Sequence, residues 1–71
     1  MQSWNRLLNA YEHSIATQTD VIERYRFARR RAIRSGNYKE VQRVNSILRV
    51  LYEEKGELEE SAAHLRQYLM A

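Results

Sequence analysis

The side chains able to do chemistry are few, and their spacing limits what they can do. His13 and His64 are the only imidazoles, and Glu60 stands one helical turn before His64. Two or three such ligands without supporting groups make a poor metal site, so an ordinary contact between solvated neighbours is the reading taken. Glu53, Glu54, Glu57, Glu59 and Glu60 form a run with no partnered acid and base, as a solvated helix face would. Ser3, Ser14, Ser35, Ser46 and Ser61 belong to no Ser-His-Asp arrangement, and no glycine-rich phosphate loop occurs. The inventory predicts a protein that is not an enzyme and that uses no metal, cofactor or small-molecule substrate.

One charge cluster stands out. Between residues 24 and 49 lie Arg24, Arg26, Arg29, Arg30, Arg31, Arg34, Lys39, Arg43 and Arg49 against Glu40 alone, a net of +8. Residues 1 to 23 carry −2 and residues 50 to 71 carry −3. Arginine's planar fork suits bidentate contact with carboxylate or phosphate. Arg24, Arg26, Arg30, Arg31, Arg34, Lys39 and Arg43 are therefore the candidate binding residues, with Tyr25, Phe27 or Tyr38 available for stacking. Three accounts fit this cluster. It complements a helix dipole and keeps the fold soluble; it docks an acidic protein; or it contacts nucleic-acid phosphates. A membrane surface is not expected, because the arginine face has no strongly apolar free face opposite it.

The elements that position these charges follow from the apolar spacing. Proline is absent and glycine occurs twice, which favours helix almost throughout. Ser35-Gly36-Asn37 lies at mid-chain, where glycine closes one helix and Asn37 with Glu40 forms a capping box for the next. This predicts one domain over 1–71, with helix at about 3–35, a turn at 35–37 and helix at about 38–70. The first helix carries Trp4, Leu8, Tyr11, Ile15, Gln18, Ile22, Tyr25, Arg29 and Ala32 at alternating steps of three and four. The second carries Val41, Val44, Leu48, Leu51, Lys55, Leu58, Ala62, Leu65 and Leu69 in the same rhythm. Folding at the turn pairs residues whose numbers sum to 73, so Trp4 meets Leu69, Tyr11 meets Ala62 and Tyr25 meets Leu48. Two stripes that register on one turn predict an all-α, antiparallel, coiled-coil-like hairpin. Arg29 falls at the end of this seam, with its head expected to be free.

Gln18 and Lys55 interrupt the seam and face each other. They form either a polar layer that fixes register or a break near Lys55-Gly56, and both readings stay open. "AIRSGNYKEV" resembles the corner between the two helices of a tetratricopeptide repeat, and so does "YEEKGELEES". The two glycines are 20 residues apart where that repeat measures 34, so its function is not carried over.

Two helices of this length cannot hide a broad stripe alone. One flank of the seam presents Leu7, Val21 and Ala28 with Ile47 and Tyr68, and these are the candidate dimer-interface residues. The expected assembly is a homodimeric four-helix bundle. The other flank is mostly polar, and Phe27 and Val50 point outward. With no cysteine, no disulfide or thiolate site is available. No apolar run resembles a signal peptide or a membrane span, so a soluble, cytoplasmic protein is expected. Together these features predict a small interaction or regulatory module whose basic end docks an acidic partner, with nucleic-acid binding as the alternative.

Overall fold

A computed structural model describes residues 2 to 70, with two helices packed against each other. Met1 and Ala71, the ends of the expected single-domain span, lie outside the described residues. Helix α1 spans Gln2–Arg34 and α2 spans Tyr38–Met70, 33 residues each. At 1.5 Å per residue such a helix is roughly 50 Å long, and the hairpin measures 52 × 14 × 13 Å.

The reversal is made by hydrogen bonds that local sequence dictates. Gly36 takes φ = +71°, a left-handed conformation that costs glycine nothing. That bend lets the Gly36 amide donate to the Ile33 carbonyl at 3.1 Å and the Asn37 amide donate to the Ala32 carbonyl at 2.9 Å. The pair is a Schellman closure, and it satisfies carbonyls that the end of α1 would otherwise leave orphaned. Asn37 then caps α2: its Oδ1 accepts the Glu40 amide at 3.2 Å, and its carbonyl accepts the Val41 amide at 3.1 Å. The expected reciprocal half of the capping box is absent. The Asn37 amide is already committed to Ala32, so the Glu40 carboxylate turns to Arg43 instead.

The core follows the expected seam. Ile22, Ala32, Val44, Leu48, Ala62 and Leu65 are buried, and the other seam residues except Trp4 are half-buried. Ile22, Val44 and Leu48 form the centre, with Tyr25, Ala28 and Leu51 packed on it. Trp4 departs from expectation at 42% exposed. The ring lies against Tyr68 instead, centroids 5.5 Å apart and planes tilted by 52°.

Helix α2 runs unbroken through Lys55 and Gly56. A methyl group added at Gly56 would touch nothing within 4 Å, so no close approach requires glycine there. In the polar layer Gln18 Nε2 donates to Glu54 Oε2 at 2.8 Å, while Lys55 stays half-buried beside it. No helix among the described residues is long and apolar enough to cross a membrane.

The hairpin exposes 5706 Å². A compact monomer of its mass, 8.5 kDa, would expose about 4,700 Å², so this rod leaves on the order of 1,000 Å² more in water.

Candidate interaction surface at the loop end

The residues singled out for binding, Arg24, Arg26, Arg30, Arg31, Arg34, Lys39 and Arg43, are all exposed. The hairpin gathers them because the turn at Gly36 lays the last three turns of α1 beside the first two of α2. Within that gathering their states differ.

Two of them are engaged inside the chain. Arg26 Nη1 donates to Glu23 Oε1 at 3.3 Å, one helical turn away. Arg43 approaches the Glu40 carboxylate through both Nε and Nη2. That hydrogen bond is the main reason the Glu40 carboxyl is held below its ordinary value; desolvation opposes it and charge attraction adds to it. The same contact pushes the Arg43 guanidinium up. Glu40 also sits in the first turn of α2, where the helix dipole favours a negative charge.

Arg29 is a correction. Its head is not free: Nη1 donates across the seam to Asn45 Oδ1 at 3.3 Å. Its side chain is half-buried in the seam, and Nε is covered without a hydrogen-bond partner among the described residues. Arg29 thus belongs to the contact between the helices, not to the surface that a partner would touch.

Arg30 and Arg31 share one neighbour. Their guanidinium carbons lie 5.9 and 6.0 Å from the centroid of the Phe27 ring, within cation–π range. Phe27 is 54% exposed. The spacing that produces this, an aromatic followed at three and four residues by arginine, is visible in the sequence. Phe27 offers two cationic heads a weak common anchor, about 0.5–1 kcal/mol at such an exposed site, and keeps part of its own face open. Among the described residues, Arg24, Arg30, Arg31, Arg34, Lys39 and Arg49 enter no salt bridge.

A shallow depression opens beside these charges, lined by Ala28, Arg31, Ala32, Arg34, Ser35, Asn37 and Glu40. Its apolar floor comes from the two alanines, and its rim holds two cations and one carboxylate.

The five residues assigned to the dimer flank stand in three conditions. Leu7 and Tyr68 are exposed, at 40% and 66%. Val21 and Ile47 are half-buried. Ala28 already packs on the Ile22–Val44–Leu48 cluster of its own chain. A second depression lies toward the open end of the rod, lined by Leu7, Tyr11, Glu60, Ser61, His64 and Leu65. Here His64 Nε2 stands 3.9 Å from Glu60, and both side chains are mostly in water. No set of three potential metal ligands comes together among the described residues.

Geometry therefore defines a class: an antiparallel helical hairpin with one strongly basic, aromatic-anchored end. Set against protein families, curated proteins and solved structures, the chain matches none of them.

Proposed function

We propose that this protein is a non-enzymatic interaction module that self-associates into a four-helix bundle and docks an acidic protein through its loop end. The observation that carries the reading is the Phe27–Arg30–Arg31 group with Arg34. Among the described residues these are cations without carboxylate partners, two of them within cation–π range of a half-open aromatic ring. Holding a guanidinium in position before binding lowers the ordering cost that a partner must otherwise meet. An acidic segment carrying one apolar side chain would meet the arginines and place that side chain over the exposed face of Phe27. Self-association is supported by the excess exposed area and by Leu7 and Tyr68 standing uncovered on one flank.

The exposed ring of Phe27 also favours a second reading, in which a nucleic-acid base stacks there while the arginines take phosphates. One experiment separates the two. A labelled Asp/Glu-rich peptide and a single-stranded RNA are titrated in parallel at about 50 and 300 mM salt. The proposed function expects the peptide to bind, and Arg30→Ala/Arg31→Ala/Arg34→Ala to weaken it by roughly tenfold or more with helicity unchanged. RNA binding with a steep salt slope and no peptide binding would transfer the site to the second reading. Silence toward both at low salt would overturn it.

A further inference from the structure

We infer that two copies pair in reversed orientation, with each basic loop end lying beside the open end of the other and the two-fold axis crossing the rod. This rests on the self-association proposed above and goes beyond it by fixing direction and register.

The face is marked out by two rows. Leu7, Ser14, Val21, Ala28 and Ser35 recur every seven residues on α1, and Glu40, Ile47, Glu54, Ser61 and Tyr68 do so on α2. Both rows border the same side of the seam. Both depressions open on it as well: Ala28, Ser35 and Glu40 line one, and Leu7 and Ser61 line the other. The flank is thus a groove with two hollows, separated along the rod, and with large apolar side chains between and beyond them.

A two-fold axis in the plane of this face has two directions. Along the rod, it sets α1 against the partner's α2 at equal height. Arg31 then comes level with the partner's Arg43, and two loop ends, each +8 over residues 24 to 49, lie side by side. Across the rod, it sets α1 against α1 and α2 against α2, each pair antiparallel. The loop ends are then separated by nearly the full 52 Å, several times the roughly 8 to 10 Å over which charges act at moderate salt. Each meets an open end whose flanking segments are net negative. Charge alone selects the second arrangement.

Shape agrees with it. With the two rods fully overlapped, the loop-end hollow lined by Ala28, Arg31 and Glu40 receives the partner's Leu7 and Tyr68, both exposed in the single chain. The open-end hollow lined by Leu7, Ser61, His64 and Leu65 receives the partner's Ile47. Knobs on each copy thus meet hollows on the other, as an isologous interface requires. Covering the excess exposure of each chain would bury on the order of 2,000 Å² in total, within the range of stable dimers. One consequence is distinctive: Glu54 lies near the crossing of the axis and faces its own copy, whereas in the same-end arrangement it faces Val21.

The absence of cysteine permits a direct test. Lys39→Cys places a single spin label on the exposed tip of each otherwise intact chain, away from the proposed interface. Sedimentation at tens of micromolar gives the oligomeric state, and dipolar spectroscopy gives the distance between labels. A dimer with labels roughly 45 to 55 Å apart is expected, against about 20 Å for tips packed side by side at ordinary helix spacing. Glu54→Gln should tighten the dimer several-fold by removing the repulsion at the axis. A dimer with the short distance would overturn the orientation and leave self-association standing. A monomer would overturn both.

Discussion

The two ends of this rod are closed by different means. At the loop end, backbone hydrogen bonds do the work: Gly36 bends left-handed, Asn37 reaches back to Ala32 and forward to Glu40, and the Ile22–Val44–Leu48 centre begins at Val44, about two turns away. At the open end, the closure is made of side chains. Trp4 rests on Tyr68, and Arg66 Nη2 donates to Glu12 Oε1 at 3.0 Å with both partners about half in water. An exposed pair of that kind contributes about 0–1 kcal/mol. This contrast predicts a stability graded along the rod, with the tighter end also the basic one. On that expectation the end that carries the charges is held to present them, while the open end should exchange more readily and gain most from being covered by another copy.

The largest expected break in this contrast comes from the core. Leu48 is buried and central, so Leu48→Ala should cost about 2–5 kcal/mol. Leu8, half-buried near the open end, loses less water-free contact, and Leu8→Ala should cost about half as much. Urea midpoints read the difference, with Leu48→Val as the milder probe if Leu48→Ala has no folded baseline. Equal costs at the two sites would remove the gradient.

A smaller effect separates the two glycines. Gly36→Ala forces a β-carbon into a left-handed conformation and should cost about 1–2 kcal/mol. Gly56→Ala meets open space in a continuous helix and should stabilise by about 1 kcal/mol. Thermal melts at one protein concentration decide both. A stabilising Gly36→Ala or a destabilising Gly56→Ala would show that the turn and the helix had been assigned opposite roles wrongly.

How much of this was legible beforehand divides along physical lines. The seam was legible because a single turn fixes the pairing of two long stripes, leaving one free parameter, and Tyr25, Leu48 and Leu51 fall where that pairing puts them. The turn was legible because glycine and asparagine have the conformations it needs. Side-chain commitments were not. Glu40 had two suitors, the Asn37 amide and the Arg43 guanidinium, and spacing alone cannot choose between them. Arg29 looked like a free head at the seam's end, yet Asn45 lies within reach across it. Ala28 counted as flank, although its small size lets it sit against the core of its own chain. At the candidate site, the crowd of arginines could be read directly from charge. Which of them have partners is decided by acids one turn away and by rotamers, and the sequence lists the acids without the rotamers.

The smallest expected effect tests one of those commitments. The hydrogen bond from Arg43 holds the Glu40 carboxyl below its ordinary value of 4.5. A carboxyl whose folded value lies below its unfolded one adds stability above the unfolded value and loses it as pH falls through the folded one. Glu40 keeps about a third of its side chain in water, so the contribution is slight, but it has a direction. Wild type should therefore lose more stability between neutral pH and about pH 3 than Glu40→Gln does, since the amide does not titrate. Paired urea titrations at the two pH values measure the difference, and the comparison cancels the other acids common to both chains. Identical losses would mean that Arg43 spends its time elsewhere in solution, which would return it to the unpartnered cations of the loop end.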